Sequence, residues 1–185
     1  MSGQDRLVTL ALGSNLGDRR EILQGGVDAI AGLGQVRVVA VSPLYETAPV
    51  GGPAQPDYLN AVVLARTDLP SRDLLDRLHE VEAAFDRVRA VRWGARTLDI
   101  DIIAAGDERS DDPELTLPHP RAHERAFVLA PWHDVDPDAM LPGYGPVAAL
   151  LAKADRSGLR PVPTGLLAPA TPAPGPAKPT PGEDA

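Results

Sequence analysis

The chain has 185 residues, 43% of them hydrophobic and only 4% aromatic, and carries 18 Lys and Arg against 26 Asp and Glu for a net charge of −8. That suffices for one compact domain with a sizeable core and hardly for two, and the acidic balance argues against nucleic-acid or anionic-membrane partners, which select for surface Lys and Arg. The absence of cysteine excludes a disulfide framework, thiolate metal ligation and cysteine nucleophiles, leaving oxygen and imidazole as the metal chemistry.

Residues 1–6 lack the apolar core of a signal peptide and no window approaches a membrane-spanning length, so a cytoplasmic protein is expected. The apolar run from Leu7 to Gly13, bounded by a Gly-Ser-Asn turn, predicts a buried strand running into a loop that could face a ligand. Asp18 is placed to cap a helix over Arg19–Gly32, with Ile22, Leu23, Val27 and Ile30 on one face. Val36–Glu46 reads as a second strand, ended by a surface loop in which three prolines and two adjacent glycines fall between residues 48 and 56.

Tyr58–Thr67 alternates as a third strand, and Ser71 is expected to cap a helix carrying Leu74, Leu78, Val81 and Phe85 at helical spacing. Leu98–Ala104 is a fourth strand. A short strand at Leu115–Leu117, a helix at Ala126–Asp134 and an amphipathic helix at Val147–Ala154 complete the body. These elements predict an α/β or α+β sandwich with one helical layer over a sheet. Eight of the 20 prolines lie in residues 161–185, which contain no aromatic residue. Such a segment cannot bury enough apolar surface to offset its ordering entropy, so a body over residues 1–160 and a disordered Pro/Ala-rich tail over 161–185 are expected.

The sharpest local feature is Thr97-Leu98-Asp99-Ile100-Asp101-Ile102-Ile103. On a strand, Leu98, Ile100 and Ile102 enter the core while Asp99 and Asp101 project together from the other face, about 7 Å apart along the chain. Two carboxylates so placed can share hard divalent cations, and oxygen-only ligation favours Mg²⁺ completed by water and phosphate. The alternative is a pair of solvated acids. Just before the pair, residues 87–96 hold four arginines (Arg87, Arg89, Arg92, Arg96) and no acid, while the remainder of the body carries a net −11. Guanidinium forks suit phosphate oxygens, and the alternative for them is a set of surface salt bridges. Together the two features favour a nucleotide-phosphate site.

Tyr58 and Asn60 share a strand face, where an amide could read a heterocycle edge beside an aromatic plane, although such a pair also occurs as a structural network. His119 and Arg125 are candidate phosphate donors and Phe127 a stacking platform; the four histidines lack zinc-ligand spacing, and His123 and His133 read as surface residues. Neither a phosphate loop of the G-x-x-x-x-G-K-[ST] type nor a serine-hydrolase elbow is present.

Five strings, in order across residues 7–150, resemble the 6-hydroxymethyl-7,8-dihydropterin pyrophosphokinase family. They are Ala11-Leu12-Gly13-Ser14-Asn15-Leu16-Gly17, Tyr45-Glu46-Thr47, Gln55-Pro56-Asp57-Tyr58-Leu59-Asn60-Ala61, Arg92-Trp93-Gly94-Ala95-Arg96-Thr97-Leu98-Asp99-Ile100-Asp101 and Leu117-Pro118-His119. The resemblance implies a ferredoxin-like α+β sandwich, a mainly antiparallel sheet with helices packed on its faces. It also implies pyrophosphate transfer from ATP to the pterin hydroxymethyl oxygen with release of AMP; a monomer is expected.

By the same resemblance Asp99 and Asp101 would hold two Mg²⁺ ions. Arg87, Arg89, Arg92, Arg96, His119 and Arg125 would face phosphate, and Glu82 and Ile102 would line the nucleotide. Thr47, Val50, Tyr58, Asn60 and Phe127 would form the pterin pocket, with the Gly13 and Gly51 backbones nearby. Asp101 is the candidate if a protein group takes the hydroxyl proton, and the loops Pro49–Pro56 and Asp86–Arg92 are expected lids. A nucleotide sensor without an acceptor site is disfavoured by Tyr58, Asn60 and Phe127. A two-metal nucleotidyltransferase is disfavoured by the long separation of Gly13-Ser14 from the Asp pair.

Overall fold

The computed structural model describes residues 5–49, 51–85 and 97–163. In chain order these form β1 (Arg6–Ser14), α1 (Arg19–Ala31), β2 (Val36–Val41), β3 (Tyr45–Thr47), β4 (Tyr58–Thr67), α2 (Ser71–Ala84), β5 (Asp99–Ala105), β6 (Ser110–Asp112) and β7 (Leu115–Leu117). A 3₁₀ turn (Ala122–Glu124), α3 (Ala126–Val135), β8 (Met140–Leu141), β9 (Gly145–Pro146), α4 (Val147–Lys153) and β10 (Leu159–Pro161) follow. No helix among the described residues is long and apolar enough to cross a membrane.

The main sheet runs β10-β3-β4-β1-β5, with β2 also paired to β4, and every pairing is antiparallel. Because β1 and β4 are covered on both faces, they read as nearly continuous apolar runs. Val8, Leu10 and Leu12 of β1 and Leu59, Ala61, Val63 and Ala65 of β4 meet α1 and α2 through Leu23, Val27, Ile30, Leu74 and Leu78. Val62 and Leu64 point the other way, into a second core with Val128, Leu129 and Trp132 of α3 and Val147 and Leu151 of α4. The expectation of one helical layer is thereby corrected: α3 and α4 are short and strongly apolar, and they cover the opposite face. The result is the expected antiparallel α+β sandwich.

Local details follow from individual side chains. The Asp18 carboxylate accepts the Glu21 N–H at 3.0 Å and starts α1 as expected. Ser71 does not cap α2: its hydroxyl donates to Glu108 at 2.6 Å and accepts from Arg6 at 2.9 Å, and Pro70 stands at the cap position. The predicted single strand Val36–Glu46 is two, because Pro43 has no N–H to continue a ladder. At the break the fully buried Ser42 takes over, its Oγ accepting the Val62 N–H at 2.8 Å while its own N–H donates to the Val62 carbonyl at 2.9 Å.

At the C-terminal end, β10 reaches Pro161, and the Val162 N–H donates to the Leu44 carbonyl at 2.9 Å. Ordered structure therefore extends a few residues past the expected boundary at 160, because backbone pairing with β3 needs no large side chains. Residues 164–185 lie outside the described residues. His123 and His133, read as surface residues, are half-buried, and His123 stacks on Tyr144 with ring centroids 4.3 Å apart.

Replacing Ser42 by Ala strands the buried Val62 N–H. The expected loss is about 1–3 kcal/mol of unfolding free energy, with an unchanged denaturant m-value. Equilibrium urea unfolding of the two proteins measures it, and equal midpoints would contradict the bridging role.

Candidate active site

The site begins as a row of residues across three strands. The pairing of β1 with β4 sets Gly13 opposite Asn60, and its pairing with β5 sets Gly13 opposite Asp99; one step along, Ala11 lies between Val62 and Asp101. Residues directly opposite share a face, so Asn60, Gly13, Asp99 and Asp101 all point to the side of the sheet that carries α3. Thr47 lies opposite Tyr58, extending the same face onto β3. Ile100 and Ile102 are buried in the core with α1 and α2, as the strand alternation predicts.

This row floors a cavity of about 330 Å³ lined by Gly13, Thr47, Gln55, Tyr58, Asn60, Asp99, Asp101, His119, Arg125 and Phe127, among others. The volume is in the range of small-molecule sites. Asn60 is buried and oriented: its amide nitrogen donates to Thr47 Oγ1 at 2.9 Å and to the Tyr45 carbonyl at 3.3 Å. Its Oδ1 lies over Gly13, at 3.4 Å from where a Cβ on that residue would stand, and the Tyr58 ring at 3.6 Å. Any side chain larger than a methyl at position 13 would project into the cavity floor.

A second cavity, about 280 Å³, lies along the outer edge of β5 between α2 and the β6–β7 hairpin. Its lining includes His79, Glu82, Asp99, Ile100, Asp101, Ile102, Thr116 and His119. Glu82 is only 1% exposed, and its carboxylate accepts the Ile100 N–H at 2.8 Å. That bond shows that the main chain of Ile100 faces outward. By the two-residue period of a strand, so does the main chain of Ile102, whose side chain is in the core. What Ile102 offers the cavity is an N–H and a C=O.

Asp99, Asp101 and His119 belong to both cavities. His119 is held there by a bulge. Leu10 pairs with Ile102 and Thr9 with Ala104, so Ile103 is an extra residue, and its carbonyl accepts the His119 N–H at 2.8 Å. Burial, reinforced by the nearby Arg125 cation, pushes the His119 imidazole down to about 4. Arg125, 5.6 Å from the Phe127 ring centroid, is itself pulled down by burial and supported by Asp101.

Of the residues singled out from sequence, Gly13, Thr47, Tyr58, Asn60, Asp99, Asp101, His119, Arg125 and Phe127 meet at the first cavity, and Glu82 and Ile102 join the Asp pair at the second. Gly51 sits exposed in the 48–56 loop with φ +72° and lines neither. Val50, Arg87, Arg89, Arg92 and Arg96 lie outside the described residues, as does the expected Asp86–Arg92 lid. Sequence reasoning predicted the strand Leu115–Leu117 but not that Pro113–Thr116 walls a cavity, and it gave no site role to His79, whose place follows from helical spacing to Glu82. It also missed the buried Asn15, whose amide donates to Gln55 Oε1 at 2.9 Å and the Pro56 carbonyl at 3.1 Å and ties down the loop before Tyr58.

The antiparallel α+β sandwich thus sets two cavities on either side of one carboxylate pair. The described family model that matches is 7,8-dihydro-6-hydroxymethylpterin-pyrophosphokinase (HPPK), over residues 9–137, and the chain belongs to that family. It is 44% identical over 156 residues to a Pseudomonas aeruginosa protein named 2-amino-4-hydroxy-6-hydroxymethyldihydropteridine pyrophosphokinase, covering 84% of this chain and 96% of that one. A Mycobacterium tuberculosis protein of the same name is 46% identical over 171 residues, covering 83% and 88%. Among solved structures, wild-type Plasmodium falciparum HPPK-DHPS with pterin and p-hydroxybenzoate superposes with a TM-score of 0.63 at 14% identity, over 83% of this chain and 42% of that one.

The His119 environment has a consequence for stability. The unfolded chain takes up a proton at this side chain near pH 6.5, whereas the folded form resists until about pH 4. Between those values the unfolded state binds more protons, so stability is lost as pH falls through the window. His119→Gln removes this contribution, and its melting temperature is expected to fall less steeply than wild type from pH 6.5 to 4. Parallel slopes in calorimetry would refute the assignment.

Proposed function

We propose that the chain transfers a pyrophosphoryl group from ATP to the hydroxymethyl oxygen of 6-hydroxymethyl-7,8-dihydropterin, releasing AMP, as a step of folate biosynthesis. The observation that carries this reading is the sharing of Asp99, Asp101 and His119 between the two cavities. The reduced pterin belongs in the first, where Asn60 presents its Oδ1 to a heterocycle edge and Tyr58 and Phe127 supply aromatic walls. ATP belongs in the second, where the outward main chain of Ile102 can read a base edge beside Glu82.

With both sites filled, the pterin oxygen attacks the β-phosphorus, the bond from that phosphorus to the α,β-bridging oxygen breaks, and AMP leaves with that oxygen. The hydroxyl proton passes to Asp101, if a protein group takes it, and from there to solvent. Holding the alcohol and polyphosphate on opposite sides of one carboxylate pair supplies alignment for in-line displacement, the larger part of what such a reaction needs. Arg125 and the neutral His119 donate to phosphate oxygens, and Arg87, Arg89, Arg92 and Arg96 are assigned to the same task.

Two Mg²⁺ ions are part of the proposal. Asp99 and Asp101 point to one face at the junction of the cavities, and no group of three or more His, Asp or Glu that could hold a metal occurs among the described residues. A pair of carboxylates completed by phosphate and water is the ligand set this cation prefers. When bound, Mg²⁺ supplies neutralisation of polyphosphate charge. Val50 and Gly51 are assigned to the pterin side. The net charge of −8 supports the reading that neither nucleic acid nor a membrane is a partner. A cytoplasmic monomer, with the catalytic body followed by a Pro/Ala-rich tail, completes it.

Incubation with ATP, Mg²⁺ and the reduced pterin alcohol is expected to yield AMP and the pterin pyrophosphate; ADP, or no turnover by folded protein, would overturn the proposal. Asp99→Asn and Asp101→Asn should each lower kcat by at least about 10²–10³-fold with the circular dichroism of the wild type. Wild-type rates in either variant would remove the carboxylate pair from the mechanism.

A further inference from the structure

Behind the acceptor cavity, on the other face of the sheet, four charged residues from four segments close a ring. Arg19, the first residue of α1, donates through Nη1 to Glu46 Oε1 at 2.8 Å and to the Asp57 carbonyl at 2.8 Å. Arg160 of β10 donates through Nη2 to Glu46 Oε2 at 3.2 Å and to Asp57 Oδ2 at 2.8 Å. Each arginine therefore touches both acids, and each oxygen of Glu46 is taken by a different arginine. The Arg19 guanidinium holds the Glu46 carboxyl below the usual carboxylate range.

The place of the ring in the sheet gives it a role. Glu46 and Asp57 immediately precede Thr47 and Tyr58, which lie directly opposite one another and line the acceptor cavity. Strand alternation turns Thr47 and Tyr58 into the cavity and their predecessors to the reverse face, where Glu46 shares a register position with the core residue Leu59. Backbone pairing of Leu159 with Thr47 and of Arg160 with Glu46 adds β10 to the same unit. Isolated surface ion pairs stabilise little, but here one closed network fixes two backbone segments whose next residues form the cavity wall.

We propose that Arg19, Glu46, Asp57 and Arg160 are positioning residues for Thr47 and Tyr58, and that the C-terminal strand thereby sets the affinity for the acceptor. The inference rests on the assignment of the first cavity to the pterin. No member of the ring touches the reacting atoms; the ring acts by holding the spacing of two strands.

The test uses the full chain and measures binding of the reduced pterin alcohol in the presence of a non-hydrolysable ATP analogue, alongside steady-state kinetics. Arg160→Leu is expected to weaken pterin binding and raise its KM by about three- to tenfold, with kcat and the KM for ATP unchanged. Arg160→Lys, which keeps a charge near Glu46 and Asp57, should recover part of the loss. Raising salt should weaken the pterin binding of wild type more than that of Arg160→Leu. Wild-type pterin affinity in Arg160→Leu, or an equal loss toward ATP, overturns the inference while leaving the activity intact. Wild type that fails to bind the pterin at all overturns the function reading and this inference with it.

Discussion

The antiparallel register that seats β1 between β4 and β5 is the constraint on which the rest depends. It brings Asn60, Gly13 and Asp99 into one transverse row and Val62, Ala11 and Asp101 into the next. A slip of one residue in either pairing would turn Asn60 or the two carboxylates toward the apolar core with α1 and α2. The core itself resists that slip, because the same shift would expose Val63 and Ala65 or Ile100 and Ile102. Catalytic geometry and hydrophobic burial are thus specified by one set of hydrogen bonds. Small residues complete the arrangement: Gly13 sits between Asn60 and Asp99, Ala11 sits beside Asp101, and both leave the floor of the cavity clear.

The asymmetry of the two faces explains where the site lies. On one face α1 and α2 cover the sheet from β4 to β5, and the residues beneath them are mainly apolar, with Ser14 and Thr67 the buried polar exceptions on β1 and β4. On the other, α3 and α4 cover the part of the sheet around Val62, Leu64 and Ile103, and the polar row lies beyond that patch. The buried Asn60 amide in the row is satisfied by β3, through the Thr47 hydroxyl and the Tyr45 carbonyl. The β5 edge is similarly divided. Glu82 occupies the Ile100 N–H, His119 occupies the carbonyl of the bulged Ile103, and the main chain of Ile102 between them lies open to the second cavity.

Much of this was legible in the sequence because it depends on period-two alternation and on local turn chemistry. Asp99 and Asp101 could be placed on one face opposite Ile100 and Ile102 from spacing alone, and Asp18 could be read as a cap. The failures have a common origin in contacts between residues far apart in the chain. Ser71 looks like a helix cap until Arg6 and Glu108 claim its hydroxyl. Val36–Glu46 looks like one strand until Ser42 is seen to bridge to Val62 across the Pro43 break. The strand Leu159–Pro161 carries almost no apolar signal, because it is held by backbone pairing to β3 and by Arg160. Of the hairpin that walls the second cavity, the strand Leu115–Leu117 is read from the sequence, while its partner Ser110–Asp112 has no apolar residue to signal it.

On the proposed function, His119 reconciles a polyphosphate site with an acidic chain. A cationic imidazole would add charge near Arg125, and burial together with that guanidinium holds the ring neutral down to about pH 4. The neutral ring is still a donor. Its Nδ1 accepts the Arg121 N–H at 3.2 Å, so the one remaining ring proton resides on Nε2. The tautomer is set by main chain, in a Pro118-His119-Pro120 segment anchored to the Ile103 bulge, and is independent of any nearby side chain that titrates. In the proposed function, positive charge for phosphate comes instead from arginine, whose guanidinium stays protonated at neutral pH. The carboxylates keep the opposite role. One narrow wall thus carries a neutral donor, a cation and a pair of anions that are coupled: Arg125 helps to hold His119 neutral, and Asp101 supports the charge of Arg125.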